Sequence, residues 1–184
     1  MSVIVAVSDG KRVCMVADTQ GTMGDVRLHM ATPKLARLGS VLVGMSGDMR
    51  FTNVVSGLRP ARGTLLQVAE RLAAETRKAL QSASQVKRGH TGDEVPGQCL
   101  VARGREFLLI DASGAVIQLR DRWWAIGAGG PEARGALHAY YSTATRDKGK
   151  PTRSETQDMA HNAVMAACHL CTSCGYPFVS EWTR

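Results

Sequence analysis

The stretch SVIVAVSDGKRVCMVADTQ, residues 2–20, decides the fold. It holds two apolar runs, residues 3–9 and 12–18, that meet at Asp9-Gly10. The first run is rich in β-branched residues and both runs are mostly apolar, and an Asp-Gly pair between two such runs is a strong signal for a β-hairpin. Chain termini are usually loose. A strand that begins at Val3 therefore predicts that the position of Ser2 matters.

Working outward from this hairpin, the chain alternates between groups of strands and groups of helices. Gly39-Ser40 separates KLARL from VLVGMSG and indicates a second hairpin. Further strands are expected at QCLVAR (98–103), EFLLID (106–111), AVIQL (115–119) and WWAIGAGG (123–130). Helices are expected at 48–58, ended by Pro60, at 64–83 and 152–173 with capping boxes at Thr64/Gln67 and Thr152/Glu155, and at 131–144. The polar, turn-rich segments 19–33 and 84–97 are expected to be loops.

This order predicts the fold class. Strands, two helices, strands and two helices indicate an α+β protein with segregated layers. Two antiparallel sheets stacked face to face, with a helix pair outside each, would bury every apolar face. The expected architecture is a four-layer α-β-β-α sandwich. With 184 residues and no linker-like segment, we expect one domain spanning residues 1–184.

Composition narrows the function classes. No run of 18 apolar residues and no signal-peptide pattern is present, so we expect a cytoplasmic protein with no membrane role. The net charge is +7, yet the basic residues are scattered and no nucleic-acid-binding motif occurs. We therefore expect no nucleic-acid partner. Five cysteines, an odd number, do not indicate a disulfide framework.

Three of those cysteines, Cys168, Cys171 and Cys174, follow one another at the C-x-x-C spacing that zinc and iron–sulfur sites use. A fourth cysteine at suitable spacing is missing. His169 would point away from the helix face that Cys168 and Cys171 share. Packing as small apolar residues is the favoured interpretation, and we expect neither metal nor cofactor.

Five segments carry a resemblance that spans nearly the whole chain. They are SVIVAV (2–7), VADTQGTMGD (16–25), PKLARL (33–38), GMSGD (44–48) and AIGAGGPEARGALHA (125–139). Together they resemble the proteasome β-subunit family of N-terminal-nucleophile hydrolases, and especially its bacterial members of the HslV, Anbu and betaproteobacterial types. In that family the fold is the four-layer sandwich expected above.

The resemblance implies a peptidase whose catalytic residues are Ser2, Asp18, Lys34 and Gly47. After removal of Met1, Ser2 would be the nucleophile and its own α-amino group the base. Lys34 would lower the pKa of that amine, Asp18 would orient Lys34, and the Gly47 N–H would stabilise the oxyanion. Each residue alone also has an ordinary interpretation. Asp18 suits a turn, Lys34 a solvated surface, and Gly47 a strand-to-helix connection.

The chain departs from the family pattern at three points. Serine replaces the usual threonine at position 2, and without the methyl group its rotamer is less restrained. Ala128 stands where the family usually has a serine that helps to hold the terminal amine, and the assisting aspartate of classical proteasome subunits is replaced near Cys171. Two alternatives therefore stay open, an inactive ring or scaffold subunit and a small-molecule amidase.

The resemblance also implies partners. These are a homo-oligomeric ring of six or seven subunits or a double ring, unfolded polypeptide substrates, and a separate ATP-dependent unfoldase. The chain itself has no G-x-x-x-x-G-K-[ST] phosphate-binding loop.

Overall fold

The computed structural model describes residues 2–31, 33–59, 62–82, 86–89, 92–145 and 149–184. The first strands are β1 (Val3–Ser8), β2 (Val13–Asp18), β3 (Gln20–Met23), β4 (Val26–His29), β5 (Leu35–Leu38) and β6 (Val41–Gly47). The later strands are β7 (Lys87–Gly89), β8 (Gly92–Glu94), β9 (Gly97–Arg103), β10 (Glu106–Ile110), β11 (Val116–Gln118), β12 (Trp123–Gly127) and β13 (Phe178–Trp182). The helices are α1 (Met49–Gly57), α2 (Leu65–Gln81), α3 (Gly130–Thr145) and α4 (Arg153–Leu170).

Two antiparallel sheets form the centre of the molecule. A four-stranded sheet has the order β12-β1-β2-β13, and a five-stranded sheet has the order β11-β10-β9-β6-β5. Helices α3 and α4 pack on the outer face of the four-stranded sheet, and α1 and α2 pack on the five-stranded sheet. A third apolar layer fills the space between the sheets. The predicted α-β-β-α sandwich is confirmed.

The continuous apolar run of β1 follows from burial on both faces. Val3, Val5 and Val7 face α3 and α4, whereas Ile4 and Ala6 face the five-stranded sheet. Because successive side chains of a strand point to opposite faces, a strand covered on both sides needs apolar residues at every position. The same parity decides which residues at the ends of β1, β2 and β6 reach the space between the sheets.

The hairpins at Asp9-Gly10 and Gly39-Ser40 form as predicted, joining β1 to β2 and β5 to β6. The capping boxes of α2 and α4 are also present, with the Thr64 hydroxyl accepting from Gln67 N and the Thr152 hydroxyl from Glu155 N. Pro60, expected to end the first helix, lies outside the described residues, as does residue 83 at the end of the second predicted helix.

Three expectations about local structure are wrong. Segment 19–33 is not simply a loop, because β3 and β4 pair within it as a hairpin. Within segment 84–97, β7 and β8 form a short hairpin, and β9 already begins at Gly97, while residues 84, 85, 90 and 91 lie outside the described residues. The last helix ends at Leu170 rather than Ser173, since Cys171 is already extended. Strand β13, which follows it and pairs with β2, was not predicted.

No helix within the described ranges combines the length and the apolar character that a membrane crossing requires.

Candidate active site

Ser2 is fixed at the start of β1 through both polar groups of the peptide that joins it to Val3. Its carbonyl oxygen accepts a hydrogen bond from Gly129 N at 3.3 Å, and the next amide, Val3 N, donates to Asp18 Oδ1 at 2.9 Å. The Ser2 residue is 2% exposed. By the alternation of β1, its side chain belongs to the face that carries Ile4 and Ala6, which is turned toward the five-stranded sheet. The first strand thus places a hydroxyl at the mouth of the gap between the sheets. Met1 lies outside the described residues.

Asp18 closes β2 and is completely buried. Its Oδ1 accepts from Val3 N and from Lys34 Nζ at 2.7 Å, and its Oδ2 accepts from Gly175 N at 3.2 Å. A buried carboxylate is costly unless it is paired and hydrogen-bonded. These three donors satisfy it, so Asp18 acts as the common anchor for the beginning of β1, for Lys34 and for the segment that precedes β13.

Lys34 lies just before β5 and is 4% exposed. Its Nζ donates to Asp18 Oδ1 and also to the Gln20 carbonyl oxygen at 2.6 Å. Burial lowers the pKa of Lys34 below its usual value, while the charge and hydrogen bond of Asp18 oppose that change. The ordinary interpretation of Lys34 as a solvated surface residue is therefore wrong.

Gly47 ends β6, and a side chain there has no room. A Cβ atom would lie 2.4 Å from the Pro96 carbonyl oxygen and 2.9 Å from the Phe51 ring. The next residue, Asp48, caps α1 by accepting a hydrogen bond from Phe51 N. Gly47 is therefore a strand-to-helix connection, as its ordinary interpretation holds, and it also lines the cleft described next.

A cleft of about 390 Å³ brings the predicted residues together. Ser2, Lys34 and Gly47 all line it, and Asp18 lies behind Lys34 as its ion-pair partner. Four larger apolar side chains complete much of the wall, namely Leu28, Met30, Met45 and Met49. The cleft can therefore hold an apolar group beside a buried hydroxyl, a buried ammonium and exposed backbone. Ala128 lines it as well and brings no hydroxyl.

Sequence reasoning missed three contributors to this site. Ser46 Oγ lies 3.0 Å from Ser2 Oγ, the Gln20 carbonyl binds Lys34, and the Gly175 amide binds Asp18. The period-two alternation of β6 could have indicated Ser46, because it shares a face with Leu42, which packs between the sheets. Nothing in the sequence signals the other two, whose contacts use backbone atoms.

The cysteine cluster lies behind the same site. Cys174 is buried, and Cys168 and Cys171 pack against the apolar layer between α3, α4 and the four-stranded sheet. Burial, reinforced by the charge of Asp18, raises the pKa of Cys168 to about 11 and that of Cys174 further. The thiols of Cys168 and Cys174 are therefore protonated near neutral pH. The part of the chain that the structure describes contains no group of three His, Cys, Asp or Glu residues arranged to hold a metal ion.

Comparison with known proteins identifies relatives that align with most of the chain. No protein-family model matches it. The chain is 30% identical over 176 residues to the ATP-dependent protease subunit HslV of Caldanaerobacter subterraneus subsp. tengcongensis, an alignment that covers 91% of this chain and 90% of the relative.

Solved structures share the fold. The structure of Thiobacillus denitrificans BPH in complex with epoxomicin superimposes with a TM-score of 0.78 at 21% identity, covering 98% of this chain and 97% of the other. The crystal structure of HslV from Trypanosoma brucei gives a TM-score of 0.72 at 23% identity and covers 98% of each chain.

Proposed function

Because the chain belongs to the HslV-like family of proteasome β-subunit homologues, we propose that it is a peptidase that uses the Ser2 hydroxyl as its nucleophile once Met1 has been removed. The observation that carries this proposal is the arrangement of one cleft. Ser2, Lys34 and Gly47 line it together, and the buried Lys34 ammonium is paired with Asp18 at 2.7 Å.

The reaction begins with the α-amino group that removal of Met1 exposes on Ser2. An α-amine has a pKa of about 7.7–8.0, so it is partly neutral at physiological pH and can accept the proton of its own hydroxyl. Lys34 lowers the pKa of the amine further by placing a second positive charge in the same buried site. Asp18 opposes the loss of the Lys34 proton and fixes the position of Nζ between two oxygens.

Ser2 Oγ then attacks the carbonyl carbon of the scissile peptide bond, and its proton moves to the amine. The negative charge that develops on the carbonyl oxygen is stabilised by the Gly47 N–H, which no side chain obstructs. The amine passes its proton to the departing amino group as the C–N bond breaks. A water molecule then hydrolyses the Ser2 ester by the reverse sequence of proton transfers and restores the free hydroxyl.

The apolar wall of the cleft supports polypeptide substrates with an apolar residue before the cleaved bond. We further propose that the chain, as a single domain of residues 1–184, assembles into a six- or seven-membered ring or a double ring in the cytoplasm. A separate ATP-dependent unfoldase would deliver unfolded chains. The relative from Caldanaerobacter is named as a subunit of an ATP-dependent protease, which supports this part of the proposal.

The test combines intact mass, assembly and turnover on the purified protein. We expect a mass without Met1, a ring by size-exclusion chromatography with light scattering, and hydrolysis of fluorogenic peptides. Ser2→Ala is the matched control, since it permits Met1 removal and lacks only the hydroxyl. Retained Met1, or equal hydrolysis by Ser2→Ala, would refute the assignment of the nucleophile. Intact rings without Met1 that cleave no peptide would favour a scaffold subunit, and cleavage restricted to small amides would favour an amidase.

A further inference from the structure

The hydroxyl of Ser46 meets the proposed nucleophile directly. The two Oγ atoms lie 3.0 Å apart, within hydrogen-bonding distance, and Ser46 is 7% exposed. Ser46 occupies the end of β6 on the other sheet, one residue before Gly47. Within the described ranges, the Ser46 side chain pairs with the Ser2 hydroxyl. A buried hydroxyl in an otherwise apolar strand is therefore directed at the one atom that must react.

The surrounding backbone keeps the two hydroxyls together. Gly127, at the end of β12, has φ +94°, and a Cβ there would lie 2.1 Å from the Ser2 carbonyl oxygen and 2.7 Å from Ser46 Oγ. Three strands, β1, β6 and β12, thus converge around this pair of side chains. Glycine at 127 permits the approach because it has no side chain and tolerates positive φ.

We propose that Ser46 is a positioning residue, whose hydroxyl donates a hydrogen bond to Ser2 Oγ and holds the Ser2 rotamer in which its O–H faces its own amine. This inference rests on the proposed function. A serine side chain has three staggered χ1 positions open to it, whereas the extra methyl of threonine restricts χ1. A hydrogen bond of ordinary net strength shifts such an equilibrium about two- to tenfold.

The direction of the bond follows from the chemistry. The Ser2 proton must go to the amine as the bond from Oγ to carbon forms, so Oγ is free only to accept from a neighbour. Ser46 keeps its own proton throughout, and its donated bond stabilises the negative charge that passes through Oγ. Ser46 lines the cleft, but its hydroxyl is engaged with Ser2 Oγ, so its loss should lower kcat and leave KM nearly unchanged.

The experiment measures kcat and KM with a fluorogenic peptide that carries leucine before the reporter amide. Ser46→Ala is expected to lower kcat about tenfold with KM within about twofold of the wild type. Ser46→Thr retains the hydroxyl and is expected to recover most of the rate. Ser8→Ala is the matched control, since Ser8 is a buried serine at the far end of β1 whose hydroxyl donates to the Arg105 carbonyl at 2.8 Å. It should leave kcat unchanged.

The decisive comparison repeats Ser46→Ala in a Ser2→Thr background. There the methyl of Thr restrains the nucleophile, so the loss in kcat should shrink to about twofold or less. Equal kcat in wild type and Ser46→Ala, or the same loss in both backgrounds, would overturn the positioning role while the proposed function stands. A wild type that lacks Met1 and cleaves no peptide would overturn both. Melting temperatures accompany every variant, and Ser46→Cys, a weaker donor of similar size, should also lower kcat if Ser46→Ala does not fold.

Discussion

Lys34→Met removes the buried ammonium but keeps a chain of similar length, and we expect it to abolish peptide cleavage while the protein still folds. The loss in the free energy of unfolding depends on the contacts that Asp18 and the Gln20 carbonyl keep. Asp18 loses its 2.7 Å ion pair but keeps hydrogen bonds from Val3 N and Gly175 N, and the Gln20 carbonyl loses its 2.6 Å donor. Breaking a buried pair costs about 3–5 kcal/mol. Because two amides still donate to Asp18, we expect the free energy of unfolding to fall by about 3 kcal/mol, the low end of that range.

A second substitution separates stability from chemistry. Asp18→Asn combined with Lys34→Met leaves neither charge buried, so the free energy of unfolding should recover by about 1–2 kcal/mol relative to Lys34→Met alone. Cleavage should not recover, because the positive charge beside the amine is still missing. Lys34→Arg should also be inactive, since the broad guanidinium does not fit where a compact Nζ lies between two oxygens.

The assays are denaturant unfolding for the free energy, light scattering for the assembly, and hydrolysis of a mixed set of fluorogenic peptides. Turnover close to wild type in Lys34→Met or in Lys34→Arg would refute the role given to the ammonium. A double variant that regained cleavage together with stability would show that Lys34 serves only the fold.

Three further outcomes are expected. Gly127→Ala should reduce cleavage at least tenfold and lower the melting temperature, because its Cβ would lie 2.1 Å from the Ser2 carbonyl oxygen; an active, equally stable variant would contradict the geometry. Burial raises the pKa of Cys14 from 9.0 to about 12, so the stability from its protonated thiol is complete below pH 9 and is lost as pH rises toward 12. This contribution, about 4 kcal/mol, should be absent from the alkaline unfolding profile of Cys14→Val, and identical profiles would refute it. Elemental analysis should find no stoichiometric zinc or iron, and one metal per chain would overturn the apolar interpretation of the cysteines.

The predictable part of the fold is the part that local pattern controls. β1 and β2 are continuous apolar runs joined by Asp9-Gly10, and α2 carries both a capping box and a helical apolar face. Strand β4 shows the opposite case, since all four of its residues are exposed and no burial imposes an apolar alternation on them. β13, which pairs with β2, was missed because none of its five residues is fully buried, so no apolar run or alternation marks it as a strand.

The site residues also divide into those that the sequence indicates and those that only the folded chain reveals. Ser2, Asp18 and Lys34 were predicted as site residues because their spacing resembles that of a known family, and the structure brings them together. Ser46 was hidden inside VLVGMSG, where one serine at the end of an apolar strand indicates only a strand end. The Gln20 carbonyl and the Gly175 amide are main-chain groups, which every residue possesses, so only the folded chain reveals which ones are used.

The hydrogen bond from Gly175 to Asp18 also determines how late during synthesis the surroundings of Asp18 can be completed. The two residues are separated by 157 positions, and at about 5–20 residues per second a ribosome needs about 8–30 s to make the intervening chain. During that time the amino end has already emerged, yet the carboxylate lacks one of its donors and β2 lacks its neighbour β13. Ser2, the proposed nucleophile, is therefore synthesised well before the segment that completes the surroundings of Asp18. A nascent chain in which Gly175 and β13 have not yet been made therefore lacks this hydrogen bond, and the surroundings of Asp18 are incomplete.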